Sequence, residues 1–272
     1  MDFTLSVDHE VLRDSVRKFA EKEIKPVAKA LDKKEEFSYD TLQKMAELGL
    51  FGVFVSEAYG GQGMDYLSYI IATEEIARVD GSCSLMLVNH LAGLAPLIAG
   101  STEEQRSRFL PTIVEEGHIV GFALTEPEAG SDAASLQTRA RKDGKGYRLT
   151  GTKCFITNGG AAKVFVRCAT RDPALKKKGI TAYLVEEENP GARIGKKEDK
   201  MGMRASPTTE LILEDAFVPE EARIGGEGEG WGLLIEGLSE TRILIAALSV
   251  GLADGATEVA ARYAVERSQF GK

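Results

Sequence analysis

The sequence predicts an α+β protein in three parts: an N-terminal all-α domain over residues 1–118, a middle antiparallel β-domain over 119–230, and the start of an incomplete C-terminal helical bundle over 231–272. Three observations predict it. Up to about residue 118 the apolar residues recur at helical spacing. From Ile119 to about Phe217 they come in short runs separated by turn signals. After the glycine-rich loop Gly225–Gly230 the helical period resumes.

In the first part, Leu12, Val16, Phe19 and Ile24 fall near helical spacing with Lys and Glu on the other face. Asp40 to Leu48 forms a short helix stopped by Gly49. The turn Tyr59–Gly63 precedes a mostly apolar helix from Tyr66 to Val79 and another from about Cys83 to Ala99, and Ser101-Thr-Glu-Glu104 reads as a capping-box start. In the second part, Ile119–Leu124, Tyr147–Thr150, Cys154–Thr157, Val164–Thr170, Ile180–Val185 and Glu210–Leu213 read as strands, rich in β-branched and aromatic residues. Asn158-Gly-Gly160 is a turn, and Lys176–Lys178 a solvated hairpin tip. The simplest assembly is an antiparallel barrel or sandwich. In the third part, Arg242 to Ser268 is rich in Ala and Gly, which lets its backbone approach neighbouring helices closely. Its end at Glu266–Lys272 comes after a helix with few partners, so a continuation is expected.

Composition bounds the function. Lys and Arg total 34 against 42 Asp and Glu, a net charge of -8. That argues against nucleic acid as a bulk partner, since phosphate backbones call for a basic surface. Cys83, Cys154 and Cys168 form no C-x-x-C pair and read as reduced thiols. The N-terminus has neither an apolar signal core nor an Arg-rich transit pattern, and no apolar run is read as reaching the ~18 residues of a membrane span. A cytoplasmic location is expected.

Neither glycine-rich loop has G-x-G-x-x-G spacing or a strand-turn-helix setting, so a nucleotide cofactor here is not held in Rossmann fashion. Ala123-Leu-Thr-Glu-Pro-Glu-Ala-Gly-Ser-Asp-Ala-Ala-Ser135 is a strand end running into a Pro/Gly turn, with hydroxyls, carboxylates and open backbone amides. It suits a polar ligand; a plain strand-exit loop has the same composition.

That stretch resembles the signature of the acyl-CoA dehydrogenase family. So do three others in order: Lys153-Cys-Phe-Ile-Thr-Asn-Gly-Gly160; Asp199-Lys-Met-Gly-Met-Arg-Ala-Ser-Pro207 with Val218-Pro219 and Ile224-Gly225; and Glu266-Arg-Ser-Gln-Phe-Gly271. The resemblance runs from about Leu5 to Lys272, and the family's architecture is the same helical, β and helical succession. It implies a bound FAD. Phe122, Leu124 and Thr125 match positions around the isoalloxazine, Phe155 the aromatic residue on one flavin face, and Thr157 a hydroxyl near the hydride-accepting atom. Arg267, Gln269 and Phe270 match a loop that reaches the FAD of a neighbouring subunit, which implies an oligomer, commonly a tetramer. Ser131, Lys200, Ser239 and Arg242 match positions on the acyl-CoA path. His90 is a further candidate for the acyl pocket, although a lone helical His more often serves packing.

The implied reaction is α,β-dehydrogenation of an acyl-CoA thioester to the 2-enoyl-CoA. A carboxylate removes the α-proton while the β-hydrogen leaves as hydride, and electrons pass on to an electron-transferring flavoprotein. The α-proton needs a thioester carbonyl gripped by hydrogen bonds and a desolvated base. In most of the family the base is a glutamate downstream of the position that Lys272 matches; in some branches it immediately precedes the residue matching Arg242. Here that place holds Thr241, and Glu240 is turned about 100° away on a helix. The base is therefore expected beyond Lys272. A short-chain, branched or cyclic acyl group is expected from Val88-Asn-His90. The alternatives are an oxygen-reactive flavin oxidase or monooxygenase of the same fold, and a non-catalytic product lacking the base.

Overall fold

The structure is a computed structural model and describes residues 3–271. Helix α1 (Val7–Phe19) opens with Ser6 capping the His9 amide, then passes through a wider π turn, Ala20–Ile24, into α2 (Lys25–Lys34). Pro26 explains the π turn: it donates no amide, and its ring crowds the carbonyl one turn earlier. Helices α3 (Tyr39–Glu47), α4 (Tyr66–Ala77), α5 (Gly81–Gly100) and α6 (Glu103–Glu115) complete the first part. The capping box of α6 lies one residue later than Ser101–Glu104. The Gln105 amide donates to Thr102 Oγ1 at 3.2 Å, and the Thr102 amide to Gln105 Oε1 at 2.8 Å.

The middle part contains β1 (Val120–Ala123), β2 (Arg139–Asp143), β3 (Gly146–Thr157), β4 (Val164–Thr170), β5 (Ile180–Glu186), β6 (Ala192–Lys197), β7 (Thr208–Pro219) and β8 (Arg223–Ile224). The sheet path is β6-β7-β3-β2-β4-β5-β8, with β1 added to β4. Most pairings are antiparallel. The exceptions both involve β4, whose one edge takes β1 in parallel over Val164–Arg167 and touches β2 in parallel at Thr170. The three lysines 176–178 lie in the exposed turn between β4 and β5, where the Lys177 ammonium sits 5.0 Å from the Trp231 ring centroid. All three cysteines are buried and free.

Helix α7 (Gly230–Glu266) returns across the N-terminal helices. Its buried residues Leu234, Gly237, Thr241, Leu244, Leu248, Gly251 and Gly255 form one stripe at helical spacing. A Cβ at Gly251 would overlap the Glu74 carbonyl, and one at Gly255 the Arg78 carbonyl, so these glycines let α7 touch the backbone of α4 and its C-terminal end. Helix α5 meets β1 in the same way: a Cβ at Gly93 would stand 2.6 Å from Val120 Cγ1.

One sequence expectation is corrected. Helices α5 and α7 are both long and apolar enough to cross a membrane by length and composition. Few charges interrupt α5 because it is the central core helix, mostly buried; α7 has small and apolar residues on its packed side and further apolar residues, such as Ile243 and Val250, on its exposed side.

Candidate functional site

The end of β1 and the outer half of β3 are cross-tied. The Cys154 amide donates to the Thr125 carbonyl at 2.9 Å, which brings Thr125 beside Phe155. Beneath that bond lies a buried ion pair that sequence reading left unassigned. Lys153 Nζ stands 2.7 Å from Glu126 Oε1 and donates to the Leu124 carbonyl at 3.1 Å. Glu126 also accepts the amides of Gln137 at 2.6 Å and Thr138 at 3.0 Å. The whole loop from Leu124 to Thr138 is thus folded back on one carboxylate. Burial pushes the Glu126 carboxyl up, but the Lys153 charge and these hydrogen bonds outweigh it and leave it below the usual range. Burial lowers the Lys153 ammonium against the pull of its partners. A lysine in period-two line with Tyr147 and Leu149, on the apolar face of β3, downstream of a Glu-bearing loop, is the signal the sequence offers.

Between Lys153 and Ile156 the β3–β7 register shifts, and Phe155 sits on the bulge at φ 56°. A bulky side chain in the left-handed region is a strained arrangement, kept where the surroundings impose it. The result is a phenyl ring that is 64% exposed, flanked in sequence by the buried Cys154 and Ile156. Phe122 and Leu124 are buried, whereas Thr125 and Thr157 are half-buried. Among the described residues neither threonine hydroxyl has a protein partner. An aromatic face and two uncommitted hydroxyls on cross-tied strands suit a planar, polar-edged ring system such as the flavin of FAD.

The turn after Thr157 is anchored to the helical part. Asn158, wholly buried at φ 65°, donates from Nδ2 to the Met86 carbonyl at 3.1 Å, and its amide donates to the Pro207 carbonyl at 2.9 Å. Pro207 closes the loop that carries Lys200. There the Lys200 ammonium is already engaged, donating to the carbonyls of Met203 at 2.8 Å and Ser206 at 2.6 Å. Lys200 therefore orders its own loop in this arrangement. Arg204 ties the same loop to α2 through Asp32 at 3.0 Å and Glu35 at 3.4 Å.

His90 has no opening to a ligand. It is fully buried, its Nδ1 accepts the Val120 amide at 3.0 Å, and Nε2 therefore donates to the Phe51 carbonyl at 3.2 Å. Burial holds its pKa down at about 4, so the ring is a neutral bracket between α5 and β1.

The remaining expected residues are not drawn into this cluster. Ser131 is exposed on the loop after β1. Ser239 is exposed on α7, its hydroxyl donating to the Ile235 carbonyl at 2.7 Å. Arg242 is exposed, and none of the described carboxylates forms an ion pair with it. Thr241 is buried with its hydroxyl on the Leu238 carbonyl at 3.1 Å. Glu240 turns to the other side, lining a cavity of about 80 Å³ with Phe54, Ala95 and Pro96, while the Tyr66 hydroxyl donates to its carbonyl. Burial, then the charge of Glu236, raises the Glu240 carboxyl above its usual range. Arg267 lies past the last contact of α7 with the α4 end, stacked near Tyr263 and hydrogen-bonded to its hydroxyl at 2.7 Å; Gln269 and Phe270 are fully on the surface.

The comparisons with known proteins agree with this layout. Profiles described as the acyl-CoA dehydrogenase N-terminal, middle and C-terminal domains match residues 6–117, 121–216 and 228–272. The short-chain-specific acyl-CoA dehydrogenase of Clostridium acetobutylicum is 44% identical over 273 residues, covering 100% of this chain and 72% of that protein. A chain solved in work on the electron transferring flavoprotein of Acidaminococcus fermentans and flavin-based electron bifurcation superposes with a TM-score of 0.98 at 42% identity, over 100% of this chain and 72% of its own length. Butyryl-CoA dehydrogenase from Megasphaera elsdenii superposes at 0.96 with 39% identity, again over 100% and 72%.

Proposed function

The chain belongs to the acyl-CoA dehydrogenase family, a family of FAD-dependent oxidoreductases acting on CH–CH groups, and from that premise we propose that it dehydrogenates a short-chain acyl-CoA and passes the electrons to an electron-transferring flavoprotein. The observation that carries the cofactor half of this reading is Phe155, an exposed ring held at positive φ on a bulge of β3, with the uncommitted hydroxyls of Thr157 on the same strand and of Thr125 on the segment after β1 that β3 ties down. Phe155 would cover one face of the flavin, and the two hydroxyls would bond its polar edge. FAD supplies the acceptor for the hydride that leaves the β-carbon. The Lys153–Glu126 pair holds the segment after β1 against β3 and so fixes Thr125 relative to Phe155.

The short-chain substrate is supported by the Clostridium and Megasphaera relatives, and the electron-transferring flavoprotein by the Acidaminococcus structure. On the substrate side, Ser239 and the unpaired Arg242 are the better placed of the expected acyl-CoA contacts. Ser131 is accessible as well, whereas Lys200 would have to leave two carbonyls to reach a phosphate. Neither Thr241 nor Glu240 is the proton acceptor in this reading: the first is a buried hydroxyl, and the second turns toward α5. The loop of Arg267, Gln269 and Phe270 would meet the FAD of a neighbouring subunit in a homotetramer located in the cytoplasm.

The test is anaerobic reduction of the FAD-loaded protein by a panel of acyl-CoAs, followed by mixing with electron-transferring flavoprotein or with air. Bleaching of the flavin by butyryl-CoA, with fast reoxidation by the flavoprotein and slow reoxidation by air, is the expected result. Fast reoxidation by air would instead make the protein an oxidase. No bleaching by any saturated acyl-CoA would overturn the dehydrogenase reading.

A further inference from the structure

Three charged side chains are buried within the β-domain, and only two of them are paired with each other. Arg167 is the third. It stands in the middle of β4 with 2% of its surface exposed, opposite Ala123 of β1 and Tyr183 of β5. Its Nε and Nη1 are buried without a hydrogen-bond partner, and none of the described carboxylates forms an ion pair with it. The contact it does make is with a ring: the guanidinium carbon lies 4.9 Å from the Phe165 centroid. Burial pushes its pKa down to about 9, which leaves it a cation at neutral pH.

A buried cation without a carboxylate is costly, and an aliphatic residue would fill the strand at lower free energy. Its position relative to the flavin cradle gives a reason to keep it. Ala123 is one ladder spacing away, about 4.8 Å, and is followed directly by Leu124 and Thr125. Lys153 reaches the same segment from β3, with its ammonium on the Leu124 carbonyl. The strands around the end of β1 therefore bury two cations and one carboxylate, an excess of one positive charge in a low-dielectric interior. Fixed charge there acts over longer distances than in water. Hydride transfer adds negative charge to the flavin, and preorganised positive charge nearby favours that reduced state.

We infer that Arg167 is a potential-setting residue: its unpaired guanidinium, carried on β4 at the position laddered to Ala123, raises the reduction potential of the bound flavin. The inference rests on the FAD reading above, and the experiment separates the two. The midpoint potential of the flavin is measured in the FAD-loaded wild-type protein and in Arg167→Met and Arg167→Lys, alongside flavin content and thermal unfolding.

In R167M, reduced FAD is expected to bind about tenfold less tightly relative to oxidised FAD than in wild type. That lowers the potential by about 30 mV for a two-electron couple. R167K should keep most of the wild-type potential because it keeps the charge. R167M should retain its FAD and unfold at the same temperature or a higher one, since it loses an unpaired buried cation. An R167M potential equal to wild type would overturn the inference, as would a shift in R167K as large as in R167M. Unfolding of R167M, or loss of its FAD, would make Arg167 a structural residue and overturn the inference too. A wild-type protein that takes up no FAD would instead defeat the cofactor reading on which it rests.

Discussion

The flavin cradle of β1 and β3 and the long helix α7 both carry residues expected at the site, yet they are held in opposite ways. The cradle is fixed by directional bonds: one backbone hydrogen bond, one buried ion pair and two amides on the same carboxylate set the relation between Thr125 and Phe155. Helix α7 is held chiefly by fit, with glycines laid on the α4 backbone and one apolar stripe. Among the described residues only two side-chain bonds tie it to the α4 region, Tyr66 to the Glu240 carbonyl and Arg78 to Glu258 at 2.7 Å. Ser239, Arg242 and, just past its end, Arg267 face outward. Directional bonds specify one geometry and fail steeply when one partner is removed. A packed stripe tolerates change on its open face and fails where the backbones touch.

The largest expected effect is on the cradle. Lys153→Met leaves Glu126 buried without its cation and should cost about 3–5 kcal/mol, measured by urea unfolding, with loss of bound FAD. Adding Glu126→Gln to the same protein should recover much of the stability, because a neutral amide can still accept the Gln137 and Thr138 amides. If the single variant proves as stable as wild type, the contrast between the two regions fails at its strongest point.

Next comes the bracket between α5 and β1. His90 is held neutral with a pKa of about 4, below the value of about 6.5 expected in the unfolded chain. The unfolded state therefore takes up the proton first as pH falls. Stability from this group is fully present above about pH 6.5 and is lost progressively toward pH 4, by up to about 3 kcal/mol. Unfolding free energies across that range should show the slope in wild type and a flatter one in His90→Asn. A slope that survives the substitution would assign it to another group.

On the α7 side the comparable test is steric. Gly251→Val would drive a side chain into the Glu74 carbonyl, at a cost of about 1–3 kcal/mol. The control is Gly232→Ala, which meets no atom within 4 Å and should be neutral or stabilising by up to about 1 kcal/mol. Equal effects from the two would mean that glycine in α7 matters for backbone freedom and not for contact with α4.

Much of this division was legible in the sequence. The change near residue 119 from helical spacing to short apolar runs separated by turn signals marks the β-domain, and the Gly and Ala content of α7 announces close helix contact. What stayed hidden depends on chain segments far apart. Nothing in the run Val164–Thr170 marks its arginine as buried; the burial appears only when β1 and β5 flank it. His90 shows its role only once β1 presents the Val120 amide. The membrane-length apolar content of α5 and α7 is masked in the sequence because Ser, Asn, His and Gly break the apolar runs without adding charge. The shift of the capping box by one residue has a local cause. Both Ser101-x-x-Glu104 and Thr102-x-x-Gln105 satisfy the pattern, and Gln105 gains a second use by donating to the Glu221 and Arg223 carbonyls at 2.7 and 2.8 Å.

The smallest expected effect probes the open flank of α7. Ile243 and Val265 are 52% and 89% exposed, on a helix whose outward side also shows Ile235, Ile245 and Val259. Polar substitutions at exposed helix positions away from special contacts change stability by about 0.5 kcal/mol or less, so Ile243→Ser and Val265→Ser should unfold with wild type when the chain is dilute. The same pair measured over a range of protein concentration sharpens the comparison. If the flank is covered in an assembly, binding contributes stability that rises with concentration, and the serine variants fall behind wild type only at the concentrated end. A difference independent of concentration would instead place Ile243 in contact with its own chain.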